Sequence, residues 1–384
     1  MPLIEPLIFF PEVRNYLSQI EVPMAYEDTI RIPPEIISNI LYRLPAKSLG
    51  RFRCVSKDWL SLISEPQFIK THQNTRNRSQ LIFVSNHRPL YSLPFHHDEA
   101  EAVLEPTKIL LESYHTDFNL HGSCNGLVLV SANTFASVHV LVVLNPTTKE
   151  FVELPASDYE MINASSEIEI MYGFGYDSLT DDYKVVTISY FHYNYLIPPD
   201  DMAVHVYSLR TNTWRRVSDS PYDHSYGRNL PGVFVNGFLH WVAMKDSDHV
   251  PVILAFSLAD ERFSELPSPS LHEDVDIMYR NDFKLVVLGG KLAVFMEDEV
   301  WLMNEYGVRE SWTKILVHGI HEIPMVEPMI FYDNGNFLLV SRDLMVIYDI
   351  KERSFCKSGN VSWNMKDLKV RGSYVESLVS PKFI

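Results

Sequence analysis

Two hydrophobic periodicities divide this chain. Between residues 28 and 72 apolar positions recur at three- and four-residue intervals, whereas from residue 80 onward they alternate or cluster in short runs. In the first region Pro33-Pro34-Glu35 suits a helix start, because proline is tolerated in the first turn and an acid there complements the helix dipole. Ile36, Ile37, Ile40, Leu41 and Leu44 then line one face, and Pro45 stops the helix. Leu49, Phe52 and Val55 space as a second short helix, and Ser56 is placed to cap a third carrying Trp59, Leu60 and Ile63. Glu65-Pro66 is expected to end this three-helix module. It holds more apolar residues than so short a segment can bury against itself, so a docking surface is expected. Residues 1–27, interrupted by Pro2, Pro6 and Pro11, read as a tail.

The remainder, 80–384, reads as strands and turns. Apolar or alternating runs fall at 81–84, 127–130, 138–144, 184–188, 204–207, 252–256, 285–288, 292–296, 337–340 and 345–350. Turn pairs bound them, among them Asn145-Pro146, Asp177-Ser178, Asn236-Gly237, Gly289-Gly290 and Asn334-Gly335. A repeat runs through this body: an aliphatic strand, a polar turn, an aromatic and often Leu-Pro, as in Asn145-Pro-Thr-Thr-Lys-Glu-Phe-Val-Glu-Leu-Pro155. Its aromatics, Phe151, Trp214, Phe263, Trp312 and Phe355, lie 63, 49, 49 and 43 residues apart. Four strands per unit at that period fit propeller blades. With a weaker unit at 81–94 the expectation is a mainly β chain, a small all-α module followed by about six blades, with an insertion at 190–201. A β-sandwich is the alternative.

Composition adds limits. The 384 residues are 46% hydrophobic and 21% charged, enough for a substantial core. The net charge of −16 argues against nucleic-acid binding. From Arg31 to Lys70, however, seven basic residues face three acidic ones, leaving the rest of the chain about twenty units negative. A basic module on an acidic body implies an acidic partner. Cys54, Cys124 and Cys356 fit neither a disulfide framework nor zinc spacing, which favours a reducing compartment, cytoplasm or nucleus. The apolar N-terminus lacks a basic n-region and is broken by proline, so neither a signal peptide nor a membrane contact is expected.

Catalytic signatures are missing: no Gly-x-Ser-x-Gly elbow, phosphate loop, His-Glu-x-x-His helix or Cys-x-x-Cys pair occurs. Gly173-Phe174-Gly175 reads as a bend between strands. Asp177, Asp181 and Asp182 read as a hairpin turn rather than a calcium loop, His96-His97-Asp98-Glu99 as a polar loop, and Cys124 as a thiol at the start of a buried strand. No catalytic residue, metal or cofactor is therefore expected. Two aromatic and polar stretches are candidate recognition loops: Tyr190, His192, Tyr193 and Tyr195 in one, and Tyr222, His224 and Tyr226 in the other.

The run Ile32-Pro-Pro-Glu-Ile-Ile…Arg43-Leu-Pro-Ala-Lys-Ser-Leu…Arg51-Phe-Arg-Cys-Val-Ser-Lys-Asp-Trp59 resembles an F-box of the form common in plants. Cys124-Asn-Gly-Leu-Val, Asn145-Pro-Thr-Thr-Lys, Tyr172-Gly-Phe-Gly-Tyr-Asp and Thr180-Asp-Asp-Tyr-Lys-Val-Val resemble the kelch-like F-box-associated domain. The first resemblance implies docking on the Skp adaptor of a cullin–RING ubiquitin ligase through Pro33, Ile36, Ile40, Leu41, Leu44, Pro45, Leu49, Val55 and Trp59. The second implies that the β body recruits a protein substrate for ubiquitination and proteasomal degradation, with no catalytic role for the chain. Ala46 and Gly50 depart from the usual F-box pattern, where larger apolar residues are common. An F-box protein acting outside a ligase, and a propeller lectin or enzyme, are the alternative functions.

Overall fold

The computed structural model describes residues 34–75, 79–85, 90–94, 107–109, 114–134, 139–157, 168–191, 202–224, 230–245, 251–269, 283–296, 298–320, 327–331, 336–340, 345–356 and 368–382. Among the described residues four helices come first: α1 (Pro34–Tyr42), α2 (Ala46–Phe52), α3 (Lys57–Ser64) and α4 (Pro66–Thr75). Pro45, with extended backbone, stands at the N-cap of α2. Ser56 caps α3 by accepting from Trp59 N at 3.2 Å. The fourth helix corrects the expectation that Glu65-Pro66 closes the module. Proline is tolerated at a first helical position, and Phe68 and His72, one turn apart on α4, are both buried.

Among the described residues twenty-four strands follow, in six four-stranded antiparallel sheets. The first blade holds β1 (Ser79–Ser85), β2 (Leu90–Pro94) and β3 (Thr107–Ile109). The second holds β4 (Tyr114–Cys124), β5 (Leu127–Thr134), β6 (His139–Asn145) and β7 (Glu150–Glu153). The third is β8 (Ile168–Asp177), β9 (Asp182–Phe191), β10 (Met202–Ser208) and β11 (Thr213–Arg216). The fourth is β12 (Val233–Val235), β13 (Phe238–Met244), β14 (Pro251–Ser257) and β15 (Phe263–Leu266). The fifth comprises β16 (Lys284–Leu288), β17 (Lys291–Met296), β18 (Glu299–Met303) and β19 (Trp312–Leu316). The sixth comprises β20 (Glu327–Phe331), β21 (Phe337–Val340), β22 (Met345–Asp349) and β23 (Ser354–Cys356). The last strand, β24 (Leu368–Val375), returns to pair with β1 and supplies the first blade's fourth strand. Strands β24, β4, β8, β12, β16 and β20 touch in succession and close a ring. The architecture is a six-bladed propeller, and the β-sandwich alternative falls.

The repeat has a geometric meaning. Each repeat aromatic opens or lies in the outermost strand of its blade and faces the end of the third strand: Phe151 opposite Leu144, Trp214 opposite Tyr207, Phe263 opposite Phe256, Trp312 opposite Met303, Phe355 opposite Tyr348. In four of these hairpins the residue two before the aromatic, Lys149, Asn212, Glu261 or Arg353, has a left-handed backbone. The cores form between blades, because successive side chains of a strand point to opposite faces. Val185 and Tyr207 pack toward the second blade's Leu129 and Val143, while Val186 and Val206 pack toward the fourth blade's Leu239 and Trp241. Gly173 and Gly175 lie inside β8, which corrects their reading as a bend. A Cβ on Gly173 would come within 2.7 Å of the Trp241 ring, so the glycines admit the fourth blade's side chains.

Candidate functional site

The helical module has a single core. Ile37, Leu41, Leu44, Ala46, Leu49, Phe52, Trp59, Ile63 and Phe68 are buried together, with Phe52 and Trp59 edge to face at 5.4 Å. Of the nine residues expected at an adaptor, Leu41, Leu44, Leu49 and Trp59 belong to this core, Ile40 is buried as well, and Pro45 is half-buried. Pro33 lies outside the described residues. Ile36 and Val55 are 44% and 40% exposed, and Leu60, not among the nine, is 47% exposed. Burying these side chains on a partner would be favourable at roughly 25 cal/mol per Å² of apolar surface. Gly50 faces open space, since nothing lies within 4 Å of a Cβ built there.

The module is seated on the propeller by contacts with no local sequence signal. The tenth member of its core is Leu378, fully buried, from the segment that follows β24. One Arg53 guanidinium nitrogen donates to the carbonyls of Ile63 at 3.2 Å and Leu378 at 3.1 Å, joining α3 to that segment. Burial draws the Arg53 guanidinium below its usual range, partly offset by the Glu150 carboxylate of the propeller. From α4, Gln73 Nε2 donates to Asn125 O and to Ser377 Oγ, both at 2.8 Å. His72 Nε2 meets the Leu44 carbonyl at 2.8 Å and ties α4 to the end of α1. Asn145 Nδ2 donates to Ser377 O at 3.0 Å and Val379 O at 2.7 Å, while its Oδ1 accepts from the backbone N–H groups of Thr147 and Thr148.

These contacts orient the molecule. Asn125 turns β4 into β5, and Asn145 opens the turn from β6 to β7, so the module sits at the end of the propeller where first-to-second and third-to-fourth strand turns lie. The second-to-third turns and the links between blades lie at the opposite end. There β9 ends and β10 begins, and Tyr222 stands between β11 and β12.

The seven recognition candidates separate by environment. Tyr190 is fully buried in the core shared by the third and fourth blades, and its hydroxyl donates to Glu169 at 3.0 Å. His224 is fully buried, with Nε2 2.8 Å from Ser220 Oγ and its ring against Phe263. Both are wall residues, where a tyrosine or histidine in a loop-like stretch is placed by packing. His192, Tyr193, Tyr195 and Tyr226 lie outside the described residues. Tyr222 remains at the surface: its hydroxyl donates to Glu265 Oε1 at 2.8 Å, and Lys245 Nζ donates to the same oxygen at 2.9 Å. Partial burial and the Glu265 carboxylate push the Tyr222 phenol up to about 12.

A buried ionic cluster is engaged internally. Lys184 donates to Asp177 at 2.8 Å, to Glu261 at 3.1 Å and to the Leu258 carbonyl at 2.6 Å, and Arg215 also pairs with Glu261. The turn from β8 to β9 is a hairpin, with Asp177 Oδ1 accepting from Leu179 N. Cys124 ends β4 rather than starting a strand, and burial pushes its thiol well up. The 96–99 stretch lies outside the described residues. Among the described residues no group of three or more His, Cys, Asp and Glu is arranged to hold a metal, and no helix is long and apolar enough to cross a membrane.

A helical module with three exposed large aliphatic side chains is seated on one end of a six-bladed ring, an arrangement of a small docking module joined to a large β body. The family comparisons agree with that arrangement. The F-box associated beta propeller domain matches residues 80–381, and the F-box domain matches residues 30–71. The chain belongs to the family of F-box proteins carrying the F-box associated beta propeller. It is 29% identical to F-box protein CPR1 of Arabidopsis thaliana, over 84% of this chain and 83% of that one. It is also 29% identical to an Arabidopsis thaliana F-box/kelch-repeat protein, over 91% and 96% of the two chains. Among solved structures, TolB from Acinetobacter baumannii aligns over 78% of this chain and 66% of that chain, with a TM-score of 0.39 and 10% identity. That distance is too great to bear on function.

Proposed function

We propose that this protein is the substrate-recognition subunit of a Skp–cullin–F-box ubiquitin ligase. The F-box docks on a Skp-type adaptor, which brings the cullin and RING subunits, and the propeller recruits a protein target for ubiquitination and degradation. The observation that carries the reading is the exposure of Ile36, Val55 and Leu60 on a module whose other large aliphatic residues are buried or partly buried. Its basic surplus on an acidic chain favours an acidic adaptor surface. The chain supplies no chemistry: tethering raises the effective concentration of target lysines at the conjugating enzyme. The cytoplasm and nucleus are the compartments of such a role.

The target is proposed to bind at the propeller end away from the F-box, which keeps the two partners apart. Tyr222 and Lys245 belong to that end. The lectin or enzyme alternative predicts convergent carboxylates or aromatics on one propeller face, and two of the buried carboxylates, Asp177 and Glu261, are held by Lys184.

Co-purification with Skp adaptors tests the reading. Ile36→Asp and Leu60→Asp are expected to abolish capture while the protein stays folded, and Tyr222→Ala to leave it intact. A wild-type chain that captures no adaptor, or charge variants that capture it as wild type does, would end the proposal.

A further inference from the structure

The F-box is an N-terminal module whose core is completed by a residue more than 300 positions away. Leu378 is fully buried among Leu41, Leu49, Trp59 and Ile63. It follows Val375, the last residue of β24, which pairs with Ser79 at the start of β1. Three residues of extended chain span at most about 11 Å. Leu378 therefore has little slack: were β24 to leave β1 and open the ring, the leucine would be drawn away from the module.

Polar contacts hold the same segment at its other side. Asn145 of the second blade donates to Ser377 O and Val379 O, and Gln73 of α4 donates to Ser377 Oγ. Gly126, with φ of +83°, lies so close that a Cβ there would collide with Ser377. The segment is thus clamped between the second blade and the F-box, with Arg53 closing the arrangement onto the Leu378 carbonyl.

We propose that the segment after β24 couples the two modules, so that the F-box is completed, and competent to dock its adaptor, only while the propeller ring is closed. The binding half of this inference rests on the adaptor reading above; the folding half does not. The physical basis is that a helical module of about 40 residues has little core of its own. One missing leucine is then enough to populate its unfolded form, and apparent affinity falls by the fraction of competent molecules. A receptor with an open or damaged ring would leave the ligase instead of presenting a defective reader.

Two point variants separate coupling from plain core packing. Leu378→Ala removes the side chain itself. Asn145→Asp keeps the oxygen that holds the turn at Thr147 and Thr148 but sets a carboxylate against the carbonyls of Ser377 and Val379. It loosens the segment without touching the F-box. Hydrogen exchange of the full chain is read at the amides of α2 and α3, together with adaptor affinity. Both variants are expected to speed exchange in α2 and α3, Leu378→Ala by about 30-fold or more as for other buried leucines. Exchange in the fourth and fifth blades should stay unchanged. Adaptor affinity is expected to fall at least about fivefold, and Leu378→Met to restore both readouts. If Asn145→Asp leaves F-box exchange at the wild-type level, Leu378 is an ordinary core residue and the coupling is overturned. If neither variant changes exchange, the inference fails outright. If exchange responds as expected but wild type binds no adaptor, the adaptor reading fails and the coupling stands.

Discussion

The indole N–H of Trp214 donates to the carbonyl of Pro155 at 2.6 Å, across the boundary between the second and third blades. Trp312 makes the corresponding bond to Pro267 at 2.9 Å, between the fourth and fifth blades. These bonds explain two features of the repeat at once. The Leu-Pro that ends an outer strand offers a carbonyl, and the aromatic of the next blade takes it.

Trp214→Phe should keep the ring against Tyr207 and lose the donor. The net value of one such hydrogen bond is about 0.5–1.5 kcal/mol, and exposure of Pro155 to water favours the low end. The Trp312→Phe effect should add to it within about 0.5 kcal/mol, because the two sites share no partners. Urea unfolding of the single and double variants measures both.

Lys184 is the cation of a buried cluster that staples the third blade to the fourth through Glu261 and the Leu258 carbonyl. Lys184→Met should lower stability by about 3–5 kcal/mol, since Asp177 would lose its buried counter-charge and Glu261 would keep only the exposed Arg215. Although burial opposes ionisation, bonds from Lys184, Thr180 and the Leu179 N–H hold Asp177 below the usual carboxylate range. The stability it contributes is present above the unfolded-state pKa and lost as pH falls through the folded value. That acid-side loss should be smaller in the variant, as read by denaturant titrations at several pH values.

Three histidines should make the propeller acid-sensitive. Burial, with His139 nearby, lowers His121 to about 3; burial lowers His224 to about 3; burial lowers His240 to about 4 despite its bond to the Val233 carbonyl. Unfolded, each takes up a proton near the ordinary value of about 6.5. The unfolded state therefore binds more protons below that pH, and stability falls progressively from about pH 6.5 toward pH 4. His224→Gln should flatten this slope between pH 6.5 and 5 if the variant folds, and calorimetry across that range would show it.

Gly50→Ala should stabilise the F-box by about 0.5–1 kcal/mol, because the helix gains propensity and the methyl group meets nothing. Thermal unfolding followed at the F-box helices checks this. A simultaneous loss of adaptor binding would place the adaptor against the α2 surface at Gly50.

Much of this protein was legible along the chain. The three- and four-residue spacing of Ile36 to Leu44, the Ser56 cap, the strand runs and the aromatic repeat are local features, and each emerged close to where the pattern put it. Five of the six blades repeat the same local problem, a third strand, a turn and an aromatic to close over it, and the first blade, completed by β24, lacks the aromatic. What the pattern could not convey was the separation of exposed from buried within the F-box. Ile36 and Ile40 look alike in sequence, yet one is on the surface and the other inside. The same holds for Tyr190 and Tyr222, one a wall residue and one at the rim.

The sequence by itself determined the two kinds of element, their order, the periodic blades and the resemblance to an F-box. Only the tertiary structure decided that α4 extends the module, that β24 closes the ring, and that Leu378, Arg53, Gln73 and Asn145 meet where the module is seated. The physical reason is range. A helix stripe or a hairpin is written in neighbours a few residues apart. A contact between Arg53 and Leu378 depends on the whole ring lying between them, and leaves no periodic trace at either end.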